Sequence, residues 1–142
     1  MRFSRIPPDR RKLLLQAIFW LLVDGVSLRL FPTWTLRVAY ERQPRSNPHG
    51  HVDARNIARG VMIATNYVPW HTCLTRALVA CRLLQQHQIP SRLQIGATRI
   101  DGKFQAHAWV ESNGKVVIGR TRDLERFVPL IDNSTVNAKQ VA

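Results

Sequence analysis

Two segments of this chain carry residue types that could perform nucleophilic catalysis. Cys73 opens an apolar, helix-forming run, and His107 lies 34 residues later inside an alternating, strand-forming run. A helix N-terminus stabilises a thiolate, and an imidazole can remove the thiol proton and return it to a leaving group. This pair predicts a cysteine nucleophile with a histidine as its general base.

The position of Cys73 favours catalysis over packing. Pro69 breaks the chain just before it, so we expect Cys73 in the first turn of its helix. Unpaired amides and the helix dipole favour an anion there. The alternative, a small buried apolar residue, suits Cys81, which lies mid-helix. About 12 Å along the axis separates the two cysteines, so we predict two free thiols, as in a reducing cytoplasm.

His107 is expected on one face of its strand with Gln105, Trp109 and Glu111. The other face would carry alternate apolar residues and form the core. A helix bearing Cys73 across the His107 face would bring thiol and imidazole together. The alternative for His107 is a surface histidine or a hydrogen-bonded core histidine.

A third group usually orients the imidazole. The strand expected after the turn at Asn113 offers neither a carboxylate nor an amide over residues 115–120. Asp123 is the nearest candidate for this third catalytic residue, whereas Glu111 and Asn113 are weaker ones, Asn113 being explained by its turn.

Three further residues are candidates for a substrate cleft. Trp109 would lie on the same strand face as His107, unless it is only a core residue. Trp70 and His71 directly precede the Cys73 helix, and His71 would lie at the rim of the site or would simply be a polar residue before the helix.

Apolar spacing and capping residues predict the helices that position these groups. Pro8 and Asp9 suit a helix start, and Asp53 is a typical N-cap. The predicted helices run from Pro8 to about Leu30, from Thr33 to Glu41, from Asp53 to about Asn66 and from Cys73 to about Gln88. Residues 43–52 are predicted to form a loop.

The C-terminal half changes to a period of two, which is typical of strands. The predicted strands are 92–96, 104–110 and 115–118, joined by hairpin turns at Asp101-Gly102 and Asn113-Gly114. The fold class is therefore α+β, with helices before a three-stranded antiparallel meander. We predict a single domain with an N-terminal helical hairpin and loop (1–52), a catalytic core (53–132) and a flexible tail (133–142).

Composition narrows the choice of partners. The chain has 21 Lys and Arg against 9 Asp and Glu, a formal net charge of +12, which favours an anionic partner. We expect no nucleic acid, because aromatic residues are not interleaved with arginines and no binding motif is present. His49 and His51 lack further ligands at suitable spacing, so no metal and no cofactor are predicted.

The N-terminal helices admit two interpretations. Residues 10–40 form an apolar, arginine-bearing hairpin that would pack on the core or a partner protein, or alternatively contact an anionic membrane. The apolar run Leu13–Val23 is expected to be too short to span a bilayer, which needs about 20 apolar residues. No signal cleavage site follows it. The predicted location is cytoplasmic, with contact to the inner face of the membrane as an alternative.

Together the two segments resemble the stand-alone leader peptidases of lasso peptide biosynthesis, in the transglutaminase-like superfamily. The resemblance covers roughly residues 60–130. It rests on the segments 73–78 (CLTRAL), 83–84, 89–96 (IPSRLQIG), 104–114 (FQAHAWVESNG) and 117–119 (VIG).

This resemblance implies a Cys-bearing helix packed on a small antiparallel sheet, and a cysteine protease that removes the leader from a ribosomally made precursor. A separate leader-binding protein would deliver the precursor, and an ATP-dependent cyclase would act next. Cys73 would attack the scissile carbonyl with its own amide in the oxyanion hole, and His107 would transfer the protons. The family usually places an Asp near Gly119 or Arg120. Here either Asp123 replaces it or the enzyme uses a Cys–His dyad.

Other functions remain as alternatives. A different transglutaminase-like peptidase or acyl transferase would use the same two residues on another peptide. A basic nucleic-acid-binding or membrane-binding module would use the charge and the N-terminal helices without catalysis.

Overall fold

The computed structural model describes residues 7–34 and 53–131. The helices are α1 (Pro8–Leu30), α2 (Ala54–Ala64) and α3 (Cys73–Gln86), and the strands are β1 (Arg92–Ile100), β2 (Lys103–Ser112), β3 (Lys115–Ile118) and β4 (Val128–Ile131). Short 3₁₀ turns cover Thr65–Tyr67 and Leu124–Arg126. The predicted loop with His49 and His51, the predicted tail and all but the start of the predicted second helix lie outside the described residues.

Helix α1 confirms the helix predicted from Pro8. It has Pro at its first position and Asp9 in its first turn, and it ends where the Phe31 amide donates to the Ser27 carbonyl. The residue before a proline is disfavoured in helical conformation, which explains why α1 stops before Pro32. Gly25 does not interrupt it.

Helix α1 is longer than the apolar run Leu13–Val23, from which the sequence predicted a segment too short to span a bilayer. Its 23 residues are long and apolar enough to cross a membrane by length and composition alone. The prediction from Leu13–Val23 underestimated the length of the apolar helix, because the helix extends beyond this run at both ends. Core helices of soluble proteins and signal sequences pass the same test, and one side of α1, with Leu14, Ala17 and Leu21, is buried in the core.

Helix α2 begins at the predicted cap. The Asp53 carboxylate accepts a hydrogen bond from the Arg55 amide at 3.2 Å. The buried side of α2 includes Ile57 and Val61, both fully covered. Gly60 faces α1 so closely that a Cβ there would lie 3.1 Å from the Leu13 side chain. The glycine therefore permits the close packing of α1 and α2.

The four strands form one antiparallel sheet in the order β3-β2-β1-β4. The two predicted hairpin turns are confirmed, with positive φ at Asp101, Gly102, Asn113 and Gly114, as type I′ turns require. The prediction of three strands is wrong, because β4 pairs with β1 at the opposite edge from β3. β4 has only four residues and contains Pro129, so no local pattern marked it.

The core lies between the helices and one face of the sheet. The strand residues of this face are Leu93 on β1, Ala108 and Val110 on β2, and Ile118 on β3, and they cluster with the buried residues of all three helices. The structure is thus an α+β fold in which the Cys-bearing helix packs on a small antiparallel sheet.

A buried ion pair ties α1 to α3. The Asp24 side chain is 1% exposed, and its Oδ1 atom lies 2.7 Å from Nη2 of Arg82. The guanidinium also stacks 4.0 Å from the centre of the Trp20 ring. Breaking a buried pair leaves one charge without its partner, which costs several kcal/mol.

We therefore expect Arg82→Ala to lower the free energy of unfolding by about 3–5 kcal/mol, measured by urea denaturation. The matched control is Arg126→Ala, which removes an exposed pair with Asp123 and should cost less than about 1 kcal/mol. Equal losses in the two variants would contradict this assignment.

Candidate active site

Cys73 is the first residue of α3, as predicted. Thr72 caps the helix, because its hydroxyl accepts from the Thr75 amide at 3.2 Å while the Thr75 hydroxyl accepts from the Thr72 amide at 2.7 Å. This reciprocal arrangement fixes the start of the helix at one residue. Cys73 is half-buried, and its thiol is free.

The first backbone amides of α3 are available to an anion. The hydrogen bonds around this turn use the amides of Thr72, Thr75 and Arg76. The amides of Cys73 and Leu74 make none with any residue that the structure describes. Free amides at a helix N-terminus can stabilise a thiolate or the oxyanion of an acyl-transfer intermediate.

His107 is half-buried on β2 and is held by a backbone carbonyl. Its Nε2 atom lies 2.6 Å from the Gly119 oxygen. Because a carbonyl can only accept, Nε2 carries the proton, and in the neutral ring Nδ1 is left as the acceptor. Nδ1 has no hydrogen-bond partner in the described part of the chain. In this tautomer Nδ1 has a free lone pair that can accept a proton.

Gly119 can hold the ring only as glycine. It has a φ of 84° directly after β3, and a Cβ there would lie 2.7 Å from the Ala108 carbonyl oxygen and 2.9 Å from the Trp109 backbone. The chain therefore turns against β2 at the height of His107. The Gly119 carbonyl stands where the resemblance led us to expect a carboxylate.

The structure corrects the predicted arrangement of the two catalytic candidates. Helix α3 packs on the face of Ala108 and Val110, while His107 lies on the other face with the rings of Trp109 and Phe127. The arrangement that would have brought the two side chains together, with α3 across the His107 face, is not the one in this structure. The chain from β3 to β4 crosses that face instead, because the two strands occupy opposite edges.

Cys73 and His107 have different surroundings in the fold. Cys73 is partly buried against the core cluster between the helices and the sheet, whereas the His107 ring lies against Trp109 and Phe127. No hydrogen bond joins the two side chains in this structure, and such bonds often tighten only with substrate.

Asp123 does not hold the His107 ring in this structure. Its side chain is 55% exposed and lies 3.8 Å from the guanidinium of Arg126. It precedes the 3₁₀ turn Leu124–Arg126. Its assignment as third catalytic residue stays a prediction.

The three predicted cleft residues differ in exposure. Trp109 is 4% exposed, donates from Nε1 to Glu111 at 3.0 Å and packs on Gly96. His71 is half-buried, and its Nδ1 donates to the Val68 carbonyl at 2.7 Å. Trp70 is half exposed beside Gly25 of α1. Trp70 and His71 thus both precede Cys73 in the chain, whereas Trp109 lies beside His107 on β2.

Sequence reasoning missed two residues that contact His107. One is Gly119, whose backbone carries no side-chain signal. The other is Phe127, whose ring centre lies 5.6 Å from that of His107. A glycine directly after a strand was the only signal available. Among the described residues, no group of three His, Cys, Asp or Glu side chains could hold a metal ion.

The two thiols should react differently with alkylating agents. Burial raises the pKa of Cys81 to about 12, so at pH 8 only about 10⁻⁴ of it is the reactive thiolate. We expect iodoacetamide to label Cys73 in the folded protein and Cys81 only after unfolding, as read by peptide mass spectrometry. Cys73→Ala serves as the control and should remain unlabelled until urea is added. Equal labelling of both thiols in the native protein would contradict this.

Comparison with known proteins identifies a family for this chain. A protein-family model described as the transglutaminase-like superfamily matches residues 18–132, and this span includes most of α1, all of α2 and α3, and the sheet. No curated protein and no solved structure matches the chain.

Proposed function

The chain belongs to the transglutaminase-like superfamily, and we propose that it is a cysteine peptidase that removes the leader from a ribosomally made lasso peptide precursor. The superfamily in general supports a cysteine protease or acyl transferase. The finer assignment rests on the resemblance of segments 73–78 and 104–114 to lasso leader peptidases.

The observation that carries the proposal is the position of Cys73 at the first residue of a capped helix. In the middle of a helix, where Cys81 lies, a thiol has no free backbone amide beside it. At the first position it lies beside the unbonded amides of Cys73 and Leu74. A nucleophile and an oxyanion site are therefore supplied by one turn of chain.

The reaction then follows from the properties of these groups. Nδ1 of His107 takes the Cys73 proton, and Sγ attacks the carbonyl carbon of the last leader residue. The oxyanion forms against the first amides of α3, and the imidazolium protonates the leaving amine of the core peptide. Water, deprotonated by His107, then hydrolyses the thioester and releases the leader carboxylate.

On this proposal Gly119 performs the orienting role usually given to a carboxylate. Its carbonyl keeps the proton on Nε2 and so leaves Nδ1 to act as base. A neutral carbonyl stabilises the imidazolium less than a carboxylate would. The enzyme would therefore work as a Cys73–His107 dyad with backbone assistance.

Substrate binding would have to bring Sγ and Nδ1 together. Residues 103–106 of β2, which lead into His107, are exposed. We expect an extended precursor to bind along this segment and to reach Cys73. We propose that a separate leader-binding protein delivers the precursor there, that the cyclase takes the released core, and that both act in the cytoplasm.

The test is cleavage of a candidate precursor, followed by mass spectrometry, with and without the leader-binding protein. The proposal expects a single cut at the end of the leader, accelerated by the binding protein. An amine acceptor such as hydroxylamine is included as a second arm. Transfer to the amine with no hydrolysis would show an acyl transferase, and failure to cut any leader in the complete mixture would overturn the peptidase assignment.

A further inference from the structure

Helix α1 has a second apolar side that stays exposed in the described part of the chain. Its residues are spaced four, three, four and four apart and are between 39% and 65% exposed; they are Leu15, Phe19, Leu22, Val26 and Leu30. We call this set the outer face of α1. It extends about 22 Å along the helix and is continued by the exposed rings of Phe31 and Trp34.

The outer face lies opposite the side by which α1 is held. At 100° per residue, Leu14, Ala17 and Leu21 project roughly 120° to 180° from the centre of the outer face. These residues are in the core, and Asp24 on the same side is paired with Arg82. Spanning a bilayer would remove this side from the fold and expose the ion pair to lipid. Helix α1 can therefore lie on an apolar surface but cannot cross it while the domain is folded.

Charge indicates what covers this face. The exposed cations Lys12 and Arg29 lie on its two borders, whereas the carboxylates of α1 are Asp9 in the first turn and the buried Asp24. The whole chain carries +12, so a second copy would be repelled and an anionic surface attracted. A single exposed helix side is convex, so it fits a flat surface better than it could enclose a peptide. Apolar residues bordered by cations, with aromatic rings at one end, are typical of interfacial helices.

We propose that the outer face of α1 binds the surface of an anionic lipid bilayer, with the helix axis parallel to the membrane plane. The apolar side chains enter the region between headgroups and acyl chains. Lys12 and Arg29 contact lipid phosphates. Because the active site does not use this face, the proposal is independent of the peptidase function.

Co-sedimentation with vesicles tests this proposal on the full chain. We expect binding to phosphatidylcholine vesicles that contain phosphatidylglycerol, little binding to phosphatidylcholine alone, and weaker binding at high salt. Lys12→Gln and Arg29→Gln should each lower the partition coefficient by about fivefold. The double variant Phe19→Ser/Leu22→Ser should lower it by tenfold or more, because the exposed parts of two large apolar side chains would no longer be buried in lipid.

The matched control is Leu130→Ser, an equally exposed apolar residue on β4, which should bind vesicles like the wild type. Unchanged thermal unfolding of every variant establishes that the fold is intact. Full binding by the Phe19→Ser/Leu22→Ser variant would overturn the proposal, because adsorption would then be due to net charge alone. Absence of binding to anionic vesicles would also overturn it and leave the outer face to an acidic protein or a second copy.

Discussion

Replacing Cys73 with alanine is expected to abolish leader cleavage, with a fall in kcat/KM of roughly 10⁴-fold or more. The alanine retains the helix and its cap but has no atom that can form the thioester. The loss is measured as the rate of appearance of the free core peptide by mass spectrometry. Cys73→Ser should be nearly as inactive, because a serine hydroxyl requires a far stronger base than a thiol does.

The control for this prediction makes the same chemical change at the other thiol. Cys81 lies eight residues further along α3 and is buried, so Cys81→Ala should lose some stability but keep its catalytic rate. If Cys73→Ala cleaved as fast as the wild type, the nucleophile would be another residue.

Replacing His107 with alanine should lower kcat by about 10²–10⁴-fold, the usual contribution of general acid–base catalysis by histidine. The KM for the precursor should change little, because the ring acts on the proton and not on substrate binding. Asp123→Ala is the matched comparison and should stay within about threefold of the wild type, since its carboxylate is exposed and paired with Arg126. A loss at Asp123 as large as that at His107 would show that Asp123 is the third catalytic residue.

A glycine pair tests whether the Gly119 carbonyl positions the imidazole. Gly119→Ala and Gly114→Ala both place a side chain at a positive φ, but only the first has backbone within 3 Å of the new Cβ. Both should lose stability through backbone strain. Only Gly119→Ala should also lower kcat, with KM unchanged and an altered pH profile. Equal activity in the two variants would leave the carbonyl without a positioning role.

Local signals accounted for much of the fold. The proline at the start of α1, the Asp53 cap and the Asp101-Gly102 and Asn113-Gly114 turns act within a few residues, and each produced the predicted boundary or turn. The helix start at Cys73 was predicted from Pro69, although the cap itself uses two threonines in place of the usual pattern of threonine and glutamate.

Non-local features were missed for a physical reason. Strand β4 exists because it adds to the edge of β1, and its own four residues carry no alternation. The alternation in β2 correctly separated His107 from Ala108 and marked the apolar face as core, but it could not reveal that the chain between β3 and β4 would lie over the His107 face. The Gly119 carbonyl was invisible as well, since a backbone oxygen is present at every position of a sequence and only tertiary structure places it beside a ring.

On the two proposals, catalysis and membrane binding use different parts of the molecule. Cys73 and His107 would perform catalysis, whereas the outer face of α1 would contact lipid. A peptidase held at a membrane by this face would keep its catalytic residues free for a precursor. The vesicle and cleavage assays measure these two properties independently.

The most direct test of the central claim is to trap the acyl-enzyme. The protein is mixed with precursor and leader-binding protein, quenched in acid within the first turnover, digested and mapped by mass spectrometry. We predict that the leader is joined through its C-terminal carbonyl to the peptide that contains Cys73, and that prior alkylation of Cys73 prevents both this adduct and cleavage. A leader adduct on another residue, or undiminished cleavage by the Cys73-alkylated protein, would contradict the claim that Cys73 is the nucleophile.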